Sequence, residues 1–401
     1  MREEQLRRAL RSLPVPDEDG ARERAWRLVS AAAHGAEAGA RAAGGSRRGG
    51  RRFAQVAVAL GLLVAAAISP AGAAVRDWVG EAVESGREPS LPALTSLPAP
   101  GPLLVDSADG AWVVKEDGSK RLLGSYRQST WSPRGLFVAA VGEGELVALD
   151  PEGGVHWALP RPGAPTDPAW SPDGYRIAYL SGGAVRTVAG DGTGDHESWP
   201  RAAAVTPAWR PGPGHVLTVV ETGGRLRTID ADSGRSIAVT RAGLDPTGLE
   251  WSRDGTRLLV FGRAGLEVLD RSGRLLWRRP APPGADLVDA ALALGGERVV
   301  AVVATRGAPD RSELLLVGPA GTPSSLFSGP GRLSGASVSA DGRWVLLEWP
   351  TADQWLFLDL GDPQRVIAVS NISAQFAPGA TSPSAFPSVA GWCCEGPPAG
   401  R

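Results

Sequence analysis

Any chemistry in this sequence would rest mainly on carboxylates, because the other reactive side chains are scarce and poorly placed. His occurs four times, at His34, His156, His196 and His215, and Cys twice, at Cys393 and Cys394. His156, His196 and His215 fall in three different sequence repeats, which does not bring them to one zinc ion. Adjacent cysteines strain a mutual disulfide, so packing or free thiols are expected of that pair. Lys115 and Lys120 are the only lysines, and neither a Gly-x-x-x-x-Gly-Lys phosphate loop nor a Gly-x-Ser-x-Gly elbow is present. Asp230-Ala-Asp-Ser-Gly234 opens like a calcium loop but lacks the later Glu and coincides with a recurring turn. Asn371-Ile-Ser373 fits a glycosylation sequon. Four acids remain, Asp167, Asp245, Glu250 and Asp289, in the segments that lead into a recurring Trp motif. Gathered at one mouth of a ring they form an acidic site for a basic peptide or a cation, or paired carboxylates for hydrolysis. The alternative is that they are ordinary polar loop residues. No cofactor is implied. With 42 Lys and Arg against 43 Asp and Glu, nothing points to nucleic acid.

The elements that position those acids are set by a repeat. Ala169-Trp-Ser-Pro-Asp-Gly174 precedes the apolar run Tyr175–Leu180, and Trp251-Ser-Arg-Asp-Gly255 precedes Arg257–Phe261. Trp131-Ser-Pro-Arg-Gly135 and Trp209-Arg-Pro-Gly-Pro-Gly214 are near copies, Val338-Ser-Ala-Asp-Gly342 replaces the aromatic, and Leu292-Ala-Leu-Gly-Gly296 keeps only the register. Pro presets one turn dihedral, Asp closes the turn locally and Gly takes positive φ. Further strands follow in each unit, such as Leu146–Asp150, Leu226–Asp230, Leu266–Asp270 and Trp355–Asp359. Four short antiparallel strands per ~40 residues predict a propeller blade, with each Trp packed between blades.

Leu103–Val105, Ala111–Val114 and Lys120–Leu123 lack a leading motif, whereas Ala390-Gly-Trp-Cys-Cys-Glu-Gly396 matches the motif but has no strands after it. Together they make one complete blade, closed by the two ends of the domain, which leaves no open sheet edge at the seam. The expected fold is an all-β, seven-bladed β-propeller over 103–401. Six blades are the alternative if the unit at 292 or 392 is irregular. Residues 371–387 are expected to be an inserted loop.

The 53 Gly and 34 Pro, with 43% hydrophobic residues, exclude a long helical bundle or a low-complexity chain. Residues 1–52 carry twelve Arg and seven acids and read as a cytosolic tail of two short amphipathic helices, either solvated or docking to a partner. Phe53–Val75 is an uncharged run of 23 residues, long enough to cross a bilayer, with arginines on its N-terminal flank that place the N-terminus in the cytoplasm. Ala71-Gly-Ala73 offers a cleavage pattern, but the long preceding tail favours a retained anchor. Residues 76–102 read as a juxtamembrane helix and a Pro-rich extended spacer.

The Trp-Ser-Pro-Asp-Gly repeats resemble TolB-like, WD-like bacterial β-propeller repeats over about 103–396. The tail, basic stop and single span resemble membrane-bound regulators of the anti-sigma type, without a His-x-x-x-Cys-x-x-Cys zinc motif. The resemblance implies a membrane-anchored, extracytoplasmic, non-enzymatic module that binds an envelope protein, peptide or glycan at the propeller mouth. It also implies a cytosolic partner, such as a sigma factor, at 1–52. An envelope hydrolase using mouth carboxylates is the competing class.

Overall fold

Each Trp motif folds as the turn its residues dictate. In the cleanest copy the Ser171 hydroxyl donates to Asp173 Oδ1 at 2.6 Å, which also accepts the Tyr175 N–H at 3.0 Å. Ser171 Oγ accepts the Arg176 N–H at 2.9 Å, and the Gly174 N–H closes on the Ser171 carbonyl at 2.9 Å. Ser252 with Asp254 and Ser339 with Asp341 repeat the arrangement. Glycine is required at position 255. Its φ is +66°, and a Cβ there would stand 2.1 Å from the Pro211 carbonyl oxygen of the preceding blade.

The computed structural model describes residues 91, 93–293, 295–307, 310–377 and 385–394. The expected tail helices (1–52), apolar span (53–75) and juxtamembrane helix fall outside the described residues. Among the described residues no helix is long and apolar enough to cross a membrane.

The propeller begins with three strands of the closing blade, β1 (Leu103–Ser107), β2 (Gly110–Val114) and β3 (Lys120–Gly124). Blade 1 is β4 (Arg127–Trp131), β5 (Val138–Val141), β6 (Glu145–Leu149) and β7 (Val155–Pro160). Blade 2 is β8 (Thr166–Trp170), β9 (Arg176–Ser181), β10 (Ala184–Ala189) and β11 (His196–Trp199). Blade 3 is β12 (Ala208–Trp209), β13 (Val216–Val220), β14 (Arg225–Asp230) and β15 (Ser236–Arg241). Blade 4 is β16 (Gly248–Trp251), β17 (Arg257–Gly262), β18 (Gly265–Asp270) and β19 (Leu275–Pro280). Blade 5 is β20 (Ala285–Leu292), β21 (Val299–Thr305), β22 (Arg311–Val317) and β23 (Ser324–Pro330). Blade 6 is β24 (Ala336–Val338), β25 (Trp344–Trp349), β26 (Gln354–Asp359) and β27 (Val366–Ser370). The last strand, β28 (Ser388–Trp392), pairs with β1 to complete blade 7 in the order β28-β1-β2-β3. The seven sheets decide between seven blades and six, and the seam is the one expected. Their innermost strands follow one another around the ring, with β28 next to β4.

The core sits between blades. Seven hydrophobic clusters fill the seven junctions among the described residues. Strand alternation produces this layering: Val138 and Ala140 face blade 7, and Ala139 between them faces blade 2. Second strands are therefore mostly apolar, as in Val138–Val141, where all four residues are buried. The motif tryptophans 170, 209, 251 and 392 each pack on the preceding blade, as their recurrence predicts.

Two segments differ from expectation. The end of the Pro-rich stretch is extended but pinned. Leu91 bonds with Ala368 and Ser370 at 2.7 and 2.8 Å beside β27, and Leu94 and Ala99 are buried in the cluster between blades 6 and 7. The expected inserted loop contains a one-turn helix, Ile372–Gln375, because Ile372 and Phe376 join that same cluster, with Phe376 centred 5.2 Å from Trp355.

Candidate functional site at the channel mouth

Apolar packing alone leaves blades free to slide, and each of the seven junctions carries a polar tie near the channel. Gln128 Oε1 accepts the Asp167 N–H at 3.3 Å, and Asp167 Oδ1 accepts the Thr206 hydroxyl at 2.9 Å. Trp251 Nε1 donates to Thr218 at 3.2 Å. Glu250 accepts the Leu292 N–H, Asp289 the Ala336 N–H and Glu348 the Val389 N–H, at 2.8, 2.9 and 2.6 Å. Asp106 closes the seam by accepting both the N–H and the hydroxyl of Ser129. Gln128 and Asp167, each three residues before its Trp, sit at bulges with φ of 50° and 53°, which turn their side chains towards the neighbouring blade.

The structure therefore places three of the four sequence-selected acids, Asp167, Glu250 and Asp289, in blade-to-blade ties. Asp245 is exposed in the loop before β16. Glu250 and Asp289 lie close enough for the charge on one to raise the pKa of the other. Burial pushes Glu250 up to about 7 and Asp289 up to about 6, against the opposing pull of the backbone N–H groups they accept. Glu348 rises to about 7 for the same reason. Both Asp289 oxygens are taken, by Ala290 and Ala336, so Glu250 alone of the two fronts open space.

That space is a cavity of about 1330 Å³ at the end of the ring where the inner strands finish, not among the loops that lead into them. Turns from blades 1, 4, 5, 6 and 7 frame it. Trp131, Trp251, Trp392, Leu292 and Val338 make an apolar wall, Glu250 lies within it, and Leu136 stands at the rim, 61% exposed. Arg253 reaches across blade 5 to donate to the Ala340 carbonyl at 2.6 Å. The sulfurs of Cys393 and Cys394 are joined, which corrects the expectation of free thiols. They rest against Gly135, where any Cβ would meet Cys393 Sγ at 2.8 Å.

Arg134, Arg253 and the Cys pair were not selected from the sequence, although a signal was present. In the Trp-Ser-Pro-Asp-Gly motif, Arg134 replaces Asp, Arg253 replaces Pro, and Cys393 and Cys394 replace Ser and Pro. All four line the cavity. Motif-conforming residues such as Ser132, Pro133, Ser252 and Asp254 line it as well, whereas Arg210 and Gly212, which also depart from the motif, do not. Among the described residues no cluster of His, Cys, Asp and Glu is arranged to hold a metal ion.

No family model matches this sequence, and comparison with curated proteins finds no match. Solved structures share its architecture. Kluyvelomyces marxianus Hsv2 aligns with a TM-score of 0.50 at 11% identity, covering 67% of this chain and 92% of that one. The β-propeller domain of Myceliophteria thermophila Cps50 (Swd1) aligns at 0.46 and 16% identity, covering 61% and 85%. Kuenenia stuttgartiensis hydrazine synthase aligns at 0.48 and 14% identity, covering 63% and 79%. The likeness is one of fold: this chain is a seven-bladed, WD-repeat-like β-propeller.

Proposed function

We propose that the chain is a non-enzymatic recognition module, anchored in the plasma membrane through Phe53–Val75, whose extracytoplasmic propeller receives a segment of an envelope protein in the channel cavity. One observation carries the reading: four departures from the repeat motif, Arg134, Arg253, Cys393 and Cys394, line that cavity. Its apolar wall and guanidinium groups suit an extended peptide, which a rigid ring with adaptable turns can bind without chemistry. Residues 1–52 then lie in the cytoplasm, where they dock a regulatory partner such as a sigma factor.

A photo-crosslinking residue in place of Leu136 is expected to capture an envelope protein in living cells. Arg134→Glu with Arg253→Glu reduces that adduct at least fivefold, and the same label at Asp245, outside the cavity lining, captures nothing. Equal adducts at both positions would refute binding in the cavity. Topology has its own test. A membrane-impermeant maleimide is expected to label intact cells at Cys393 and Cys394 only after an impermeant phosphine and mild denaturation, since Cys393 is buried. Labelling that requires lysis reverses the orientation.

Glu250 favours a second reading. A carboxyl raised to about 7 inside a cavity is suited to proton transfer, as the hydrolase class requires. Asp289 is committed to two backbone N–H groups, however, and does not supply the paired carboxylate.

A further inference from the structure

We propose that His215 is a pH-operated clasp between blades 2 and 3: its doubly protonated ring bridges Asp173 of blade 2 to Asp232 of blade 3, and loss of one proton releases the blade 2 turn. The clasp stands at the same end of the ring as the channel cavity, between two blades whose turns are not among those that frame it, and does not depend on what the cavity binds.

His215 lies between β12 and β13, its side chain 17% exposed and its ring edge-on to Trp209 with centres 6.3 Å apart. Nε2 faces Asp173 Oδ2 at 2.9 Å, and Nδ1 faces Asp232 Oδ2 at 2.5 Å. Burial raises both carboxyls, but the hydrogen bonds from Ser171 and Tyr175 to Asp173, and from His215 and Arg176 to Asp232, hold them below the usual range. They are therefore carboxylates, which only accept, so both ring nitrogens must donate. A neutral imidazole has one N–H. It satisfies one carboxylate and turns a lone pair on the other. Asp232 has a second cation, Arg176, whose Nε donates to Oδ1 at 2.8 Å, whereas among the described residues no other cation pairs with Asp173. The contact that opens is thus the one to Asp173.

The other polar groups around the ring are engaged elsewhere. His196 places its ring nitrogens on the Gly194 and Ala231 carbonyls, Ser233 holds Asp230 and Thr193 holds Asp191. Arg210, on the far side of the turn, lies over the Trp251 ring. Four charges therefore alternate at the junction, Asp173, His215, Asp232 and Arg176, and two of their contacts cross it. The Arg176–Asp232 crossing is permanent, because guanidinium does not lose its proton. The His215–Asp173 crossing follows imidazole, which changes charge between about pH 5 and 8. The closed clasp holds a proton that the open one lacks, so it is made in mild acid and lost as pH rises. The part released is the Ser171–Gly174 turn with Tyr175, which is 68% exposed beside it.

The test uses the full chain in neutral detergent with histidine labelled at its ring nitrogens. Only four imidazoles occur, and the His215 signals are identified by their loss in His215→Ala. NMR is expected to show both His215 nitrogens protonated at about pH 5.5 and one at about pH 8.5. Hydrogen exchange of the Tyr175 and Arg176 amides, corrected for the intrinsic rate at each pH, is expected to quicken about threefold to tenfold over that interval. Asp173→Asn separates a clasp from an ordinary surface contact. Its carbonyl keeps the bonds from Ser171 and Tyr175 that Oδ1 accepts, and its amide donates to the neutral ring where Oδ2 stood. This variant is expected to protect the two amides at the higher pH as well as the native chain does at the lower, while His215→Ala exchanges fast at both. A single protonated nitrogen at about pH 5.5, native exchange that does not change over the interval, or an Asp173→Asn chain that repeats the native loss overturns the proposal.

Discussion

A chain ending at Pro387 is expected not to fold cooperatively, although it loses only the last fourteen residues. Those residues include β28, the inner strand of blade 7, which pairs with β1 from Leu103↔Trp392 to Asp106↔Ser388. Without it, β1 becomes an open edge at the channel, Glu348 loses the Val389 N–H, and the hydrogen bonds from Trp392 Nε1 to Gly101 and from the Cys393 N–H to Pro102 disappear. Trp392 is 8% exposed and packs edge-on against Phe357 at 5.8 Å. Replacing it alone with Ala costs about 3–5 kcal/mol. That is a large part of the roughly 5–15 kcal/mol that holds a domain folded. Urea titration followed by tryptophan fluorescence and circular dichroism should show a markedly lower midpoint for Trp392→Ala and no sigmoidal transition for the truncated chain. A truncated chain that keeps its transition within about 0.5 M urea of the full chain would mean that the seam does not hold the ring.

The seam was legible in the sequence because turn chemistry is local: Pro, Asp and Gly at fixed offsets specify a turn wherever they occur, and the matching motif at Trp392 revealed a strand without its blade. The polar ties were not legible. Asp167 and Gln128 reach across a junction only because bulged backbone at φ near +50° redirects them, and no local signal marks a bulge at those residues. Composition misled at residues 91–102, where Pro predicts extended chain correctly but does not say that Leu94 and Ala99 will be buried against Phe376. The acids were chosen for their type, and Asp167, Glu250 and Asp289 turned out to be engaged in blade contacts while Asp245 stays exposed. Beside Glu250 the cavity is lined by Arg134, Arg253 and the Cys pair, which become visible only when copies of the repeat are compared with one another.

The ties on the last three junctions before the seam make the propeller more stable in mild acid than at alkaline pH, opposite to the usual behaviour of a carboxylate-rich surface. Glu250, Asp289 and Glu348 are raised to about 7, 6 and 7, first of all by burial. In the unfolded chain such groups titrate near ~4. Between the two values the folded ring holds protons that the unfolded chain has released. The stability linked to them is therefore complete below about pH 4 and is lost as pH rises through 6 and 7. The opposite limb belongs to Asp270 and Asp286, held low by Ser272 and by Arg306 with Arg263, whose contribution fades only below about pH 4. Maximum stability is expected near pH 5, with a fall towards pH 8. Glu348 is the clearest probe because it is 5% exposed and its oxygens meet the Val389 N–H and the Ser334 hydroxyl. Gln at this position accepts the first bond and donates the second without ever ionising. Glu348→Gln is thus expected to match the native chain at pH 5 and to exceed it at pH 8 by on the order of 2–3 kcal/mol, or about 5 °C in Tm. A variant with the native slope between pH 5 and 8 would show that Glu348 does not carry the effect, and a native chain with no fall over that range would remove the protonated ties altogether.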